Sequence, residues 1–224
     1  MLPFTRDQFI ANLGAYNEAV WPLQVLVYLL GLAMVIMLLR PSGRNSRLIG
    51  AGLAAMWAVT GIAYHGAFFS TINTAAWIFA ALFLLQAAIL LHKAVFQGRL
   101  DFGVPADWTM WIGWALIVYA AVAYPLLGTW MGDRYPEMPM FGVTPCPVTI
   151  FTFGLLLMTT RPVSRWILAI PFAWSLVGGS AAYLLQVPQD WLLLASGVIT
   201  IPVLVYRDRG RHAADPRIVV SRAA

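Results

Sequence analysis

Hydrophobic residues along this chain fall into long unbroken runs, and nearly all the charge sits in the short polar segments between them. A helix needs roughly 20 apolar residues to cross a hydrocarbon core about 30 Å thick. Seven stretches come close to that length: Ala19–Leu39, Leu48–Phe68, Thr74–Leu91, Trp108–Gly128, Val143–Thr160, Trp166–Gln186 and Trp191–Tyr206. None of them contains an Asp, Glu, Lys or Arg. The runs do not alternate as the strands of a membrane barrel do. The pattern therefore predicts an all-α integral membrane protein with seven transmembrane helices.

Before the first run the pattern changes. Phe4-Thr5-Arg6-Asp7-Gln8-Phe9 reads as a helix start, with Thr5 as N-cap, Gln8 three residues on, and Phe4 and Phe9 placed for a hydrophobic staple. Phe9, Ile10, Leu13 and Tyr16 then share one face, which fits either a helix lying on the membrane surface or one packed over the bundle mouth. The chain divides into an outer-surface amphipathic segment (1–18), a transmembrane bundle (19–206) and a basic cytoplasmic tail (207–224).

The basic residues orient the bundle. Arg40, Arg44, Arg47, Lys93, Arg99, Arg161 and Arg165, with Arg207, Arg209, Arg211, Arg217 and Arg222 of the tail, make twelve on one side. Only Arg6 and Arg134 lie on the other. The positive-inside rule then puts the N-terminus outside and the C-terminus in the cytoplasm. Tryptophans follow the two interfaces, with Trp21, Trp77, Trp130 and Trp191 outside and Trp108, Trp111 and Trp166 inside. The segment Arg40-Pro41 followed by Ser46-Arg47-Leu48-Ile49 is echoed by Arg161-Pro162 and Ser164-Arg165-Trp166-Ile167. That echo suggests a 3+1+3 parallel repeat, a layout similar to the sugar-efflux transporters.

Composition agrees with a membrane setting. The chain of 224 residues is 61% hydrophobic and 10% charged, with mean hydropathy +0.77. A soluble domain carries about 25% charged residues, so soluble enzymes and nucleic-acid binders are excluded despite the net charge of +5. A single cysteine, Cys146, rules out an intrachain disulfide. With no ionisable residue inside the spans, proton relays and voltage sensing lose their usual carriers.

Candidate chemistry concentrates at the outer end. Pocket candidates there are His65, Asn73, Cys146, Thr149, Trp174, Asp190 and Glu18. Cys146 opens the fifth helix, with Pro147 suited to its first position. One reading is a soft-metal site for Cu(I), with Cys146, His65, Met138 and Met140 as ligands. A second is nucleophilic catalysis by Cys146 with His65 as base and Asp190 or Asp133 behind it. A third is plain packing. No catalytic residue and no bound cofactor follows from the pattern alone. The functional expectation is recognition or transport of a small neutral solute or soft metal ion. The alternatives are an accessory subunit of a membrane complex, a homo-oligomer among them, and a membrane enzyme using Cys146 and His65.

Several outer segments resemble a bacterial family of multi-pass integral membrane proteins whose function has not been assigned. They include Tyr64-His65, Pro145-Cys146-Pro147 and Val187-Pro188-Gln189-Asp190. The resemblance implies an inner-membrane setting and carries no activity with it.

The orientation has a direct check in a Cys146→Ser background. An impermeant maleimide on intact cells is expected to label Gly132→Cys and to spare Ser42→Cys. The reverse pattern would invert the topology.

Overall fold

The computed structural model describes residues 2–213, leaving aside the side chains at 181 and 211–213. Among the described residues the regular structure is helical, in eight principal segments. They are α1 (Arg6–Ala19), α2 (Trp21–Leu38), α3 (Gly43–Thr71), α4 (Ala76–Phe96), α5 (Thr109–Trp130), α6 (Pro145–Leu157), α7 (Arg165–Leu184) and α8 (Trp191–Ala213). Six of them, α2, α3, α4, α5, α7 and α8, are long and apolar enough to cross a membrane. The seventh apolar run, expected as a span over Val143–Thr160, forms only the 13-residue α6.

At 1.5 Å per residue, α6 is about 20 Å long, short of the hydrocarbon thickness. It does not need the full length because it meets no lipid. Every residue from 141 to 159 is buried, enclosed chiefly by α5, α7 and α8. Irregular backbone at membrane depth is tolerated where protein surrounds it, and both ends of α6 meet that condition. The two halves of the suggested repeat are therefore built unlike each other. Their first helices would be α2, which exposes Leu26, Leu29 and Leu32, and α6, which exposes nothing.

Close backbone approach lets the neighbours reach α6. A Cβ at Gly113 of α5 would stand 2.7 Å from Met158 Sδ, and one at Gly154 of α6 would stand 3.0 Å from the Gly113 carbonyl. Small residues at such crossings are the usual device for packing helices in lipid, where no hydrophobic force draws them together. Side-chain hydrogen bonds add to it. Trp57 Nε1 donates to Thr152 Oγ1 at 2.9 Å, and Gln86 Nε2 donates to the Ile167 carbonyl at 3.0 Å. Several mid-depth hydroxyls turn back on their own helices: Thr60 bonds the Met56 carbonyl, Thr149 that of Pro145 and Thr152 that of Val148, while Thr200 Oγ1 is buried without a partner.

Arg207 seals the basic end of α6. This residue, expected in a solvated tail, is 7% exposed and lies inside α8, which runs on to Ala213. Its guanidinium donates to the Leu157 carbonyl and to Thr159 Oγ1, each at 2.9 Å. The last carbonyls of a helix lack partners within the helix and carry partial negative charge, so a cation there answers both needs. Asp208 holds the guanidinium at 2.9 Å and accepts the Val163 N–H at 2.8 Å. The α4–α5 loop closes the same end through the Gly103 N–H to the Met158 carbonyl and the Arg161–Asp101 ion pair at 2.7 Å. Arg217 and Arg222 lie outside the described residues.

The capping box at Thr5 and Gln8 is formed, and the Phe4 and Phe9 rings stack with centroids 6.2 Å apart. Of the two placements open to α1, the helix packs over the bundle mouth. Tyr16 Oη donates to the Val143 carbonyl at 2.7 Å, and Asn17 Nδ2 donates to the carbonyls of Pro136 and Met138 at 2.6 and 2.7 Å. Outside the bundle, Trp21, Trp77, Trp130 and Trp191 near the α1 end, and Trp108, Trp111 and Trp166 near the basic end, each expose more than half their surface. Two aromatic belts separated by a band of exposed Leu, Ile and Val are a surface made for lipid, and such apolar area would aggregate in water.

Arg207→Gln is expected to destabilise the detergent-purified protein by about 3 kcal/mol, because Asp208 then loses its buried partner. Arg44→Gln, an exposed change, should move the thermal midpoint hardly at all. Equal midpoints for the two variants would remove Arg207 from this role.

Candidate functional site

The α1 end of α6 lies below the surface of the bundle, and a cavity of about 150 Å³ occupies the space above it. Thr144 is the N-cap residue, with extended backbone, and the helix begins at Pro145 rather than at Pro147. Cys146 therefore sits in the first turn, held between two prolines whose missing N–H groups cost nothing there. Thr144 Oγ1 is occupied by the Met140 carbonyl at 2.7 Å.

The segment after α7 brings in the carboxyl group. Gln186 turns the chain with φ 54°, and a single 3-10 turn over Pro188–Asp190 delivers Asp190 to the start of α8. Asp190 is 2% exposed. Its Oδ1 accepts from Tyr124 Oη at 2.5 Å, and the Cys146 thiol shares the same cavity wall. The ion pairs among the described residues lie elsewhere, at Asp101 and Asp208. Neighbouring Gln189 fastens the segment: its carbonyl accepts from Tyr119 Oη at 2.9 Å, and its Nε2 donates to Asp133 Oδ2 at 3.1 Å.

The indole of Trp174 flanks the thiol from α7. Its Nε1 is buried without a hydrogen-bond acceptor. Gly178 keeps that edge open, since a Cβ there would stand 2.8 Å from Nε1.

His65 lies behind this wall rather than at the outer surface. It belongs to a wide π-helical stretch of α3, Thr60–Phe68, and is fully buried. Five rings enclose it, those of Tyr64, Phe69, Phe79, Phe83 and Trp174, with centroids 4.7–6.1 Å away. Neither imidazole nitrogen has a hydrogen-bond partner. No hydrogen bond joins His65 to Cys146, and the thiol keeps company with Asp190, Tyr124 and Trp174 instead.

Of the residues singled out from the sequence, Asn73, Cys146, Trp174 and Asp190 line the cavity together. Thr149 is buried one turn deeper in α6, and Glu18 is exposed on α1 away from the cavity. Pro139 reaches the cavity, but Met138 and Met140 on either side of it do not. Met138 is buried and Met140 packs against the core. Among the described residues no group of three His, Cys, Asp or Glu side chains stands together. Sequence reasoning missed Tyr124 and Tyr64. The remaining lining is mostly apolar, with Phe4 just before α1 and Phe9 and Leu13 of α1 overhead, and Phe69 and Phe79 at the side. The rim includes Leu2, Val177, Ser180 and Leu184, all exposed on the flank where α7 faces outward.

A model of a family of unknown function, DUF6064, matches residues 6–215, and the chain belongs to that family. No curated protein and no solved structure matches the chain.

A buried carboxylate whose donors are removed pays its full desolvation cost. Tyr124→Phe should accordingly destabilise the protein by about 2 kcal/mol, and by much less in an Asp190→Ala background. A thermal or denaturant cycle over the four proteins measures the difference. Equal costs in both backgrounds would show that the phenol matters for packing alone.

Proposed function

We propose that this membrane protein of unassigned function binds a small lipid-soluble molecule in the cavity above α6. The molecule's polar end would meet Cys146 and Asp190, with Tyr124 holding the Asp190 carboxyl from behind. The observation that carries this reading is the lining of the cavity itself, a mostly apolar chamber whose wall includes the Cys146 thiol, the Asp190 carboxyl and the Trp174 indole. Ligand sites are commonly built this way, apolar walls giving affinity and a few polar groups fixing orientation.

The rim supports access from the bilayer. Val177 and Leu184 face outward from a helix that carries the apolar surface suited to lipid, and Leu2 completes the opening. With the N-terminus outside, as the distribution of Arg and Lys favours, the chamber lies in the outer leaflet of a bacterial inner membrane. A charged solute has little reason to enter such a chamber, and an amphiphile with a hydroxyl head has the Asp190 carboxyl and the unpartnered Trp174 N–H within the same wall.

Recognition fits this form of the molecule better than passage. Beneath the cavity the rings of His65, Phe83 and Trp174 pack against one another at 4.7–5.1 Å, and α6 fills the axis below them. A transporter would have to move that plug.

The single cysteine makes the test simple. In lipid vesicles, N-ethylmaleimide should label Cys146, and a sulfonated maleimide should do so roughly tenfold more slowly, because a charge is expensive to bring into apolar surroundings. Excess 1-octanol should protect the thiol, and Ser180→Trp at the rim should slow the apolar reagent. Equal rates for the two reagents would mean that the cavity opens to water. No protection by 1-octanol would mean that the chamber does not take up amphiphiles.

A further inference from the structure

The basic end carries a second hollow, unconnected with the cavity above α6. Towards the α1 end, α7 and α8 touch closely. A Cβ at Gly197 would fall 1.9 Å from Ser175 Oγ, and one at Gly179 would fall 2.8 Å from Leu194 Cβ. Towards the basic end the contact gives way. Pro171 lies within α7 and Pro202 within α8, each removing a backbone N–H from its helix, and a groove of about 310 Å³ lies between the helices. Leu168, Ala169 and Phe172 line it from α7, and Ile201 and Val205 from α8. Its head is framed by Arg165 and Arg209, both exposed.

Among the described residues neither arginine enters an ion pair. The carboxylate facing this region is Asp208, which lines an adjoining hollow of about 120 Å³ together with Arg165 and Arg209. Its two oxygens are already committed to Arg207 and to the Val163 N–H, so it does not neutralise the pair. Trp166, next to Arg165, and Tyr206, near Arg209, are each 73% exposed. Aromatic residues of this kind settle at the headgroup level of a bilayer. The two guanidinium groups therefore stand at phosphate depth, with an apolar trough running from them into the hydrocarbon.

We infer that the α7–α8 groove is a binding site for one anionic phospholipid. The phosphate sits between Arg165 and Arg209, and one acyl chain lies along Ala169, Phe172, Ile201 and Val205. Guanidinium is the better partner for phosphate, since its planar fork donates to two oxygens at once. Basic pockets between helices at the membrane surface select anionic headgroups by this chemistry. The trough distinguishes a lipid from free phosphate, which has no use for it.

Native mass spectrometry of the full chain, released from neutral detergent with equal phosphatidylglycerol and phosphatidylcholine, tests the site. One phosphatidylglycerol should be retained in preference by roughly tenfold. The preference should vanish in Arg165→Gln/Arg209→Gln and survive Arg134→Gln at the opposite end. Ala169→Trp fills the trough while keeping both arginines and should also abolish retention, so the proposal stays testable if the double variant fails to fold. Phosphatidylglycerol should raise the melting temperature of the wild type, and inorganic phosphate should not. Equal retention of the two lipids, or a preference untouched by both groove variants, would overturn the assignment. The same stabilisation from phosphate alone would overturn the acyl-chain part of it.

Discussion

The enclosure of α6 is the constraint from which the rest of the structure follows. A helix of 13 residues buried on every side takes its place only if both ends are closed by protein, because neither reaches the headgroup layer. At the basic end a cation buried in α8 answers the unpaired carbonyls, and the α4–α5 loop covers what remains. At the other end α1 and the 131–144 loop do the closing, tied to each other by Asn17 and to the Val143 carbonyl by Tyr16. The six lipid-facing helices are free to be plainly hydrophobic outside because specificity is spent inside. Glycine contacts and a few cross-helix hydrogen bonds at α6 fix the arrangement.

The same shortness makes the cavity. A full-length helix would fill the space above Pro145, and there would be no chamber for Cys146, Asp190 and Trp174 to share. Keeping a carboxyl group there is costly, and the 2.5 Å phenol bond from Tyr124 offsets part of that cost. His65 and the Trp174 indole go further, leaving polar atoms buried and unpaired. Groups in that state are rare in native interiors and ask for an explanation. Trp174 lies on the wall of the chamber, where an occupant has room to meet its N–H.

Much of the fold was legible because hydropathy runs and interfacial residues are signals about a solvent, and the bilayer is an unusually strict one. Most of the six long apolar helices start and stop within about five residues of the apolar runs, and α8 runs on past Tyr206 to Ala213. The capping box at Thr5 and Gln8 and the seven exposed tryptophans were readable for equally local reasons. Val143–Thr160 misled on length, since a run of apolar residues reads alike whether lipid or protein surrounds it. Asn73, Cys146, Trp174 and Asp190 were named from their level in the membrane, which depth along a helix conveys. Tyr124 was not, for a geometric reason. Faces read at 3.6 residues per turn put residues five apart on different sides. The wide turns at 60–68, 91–96 and 119–123 realign them, because π-helical bonding joins i to i+5. Tyr64 stacks on Phe69 at 5.6 Å, His92 meets Gln97 at 2.8 Å, and Tyr119 lies against Tyr124 at 6.0 Å. Each pair is five apart.

Charge counting failed in a related way. The positive-inside rule weighs every Arg equally. It does not say what each one holds. Arg207 and Arg209 are two residues apart on one helix, so their side chains point to different sides of it. Arg207 turns inward to the carbonyls of α6 and is held by Asp208, and Arg209 turns towards the α7–α8 groove. The first arginine closes the protein against the membrane, and the second is presented to it. That division depends on Asp208 lying between them in sequence and giving its oxygens to Arg207 and the Val163 N–H. A carboxylate turned to the groove would pair with Arg209 and cancel its charge. The inward bond from Asp208 therefore serves both ends of the tail's first turn, since it neutralises the arginine that must be buried and leaves its neighbour charged where phosphate lies.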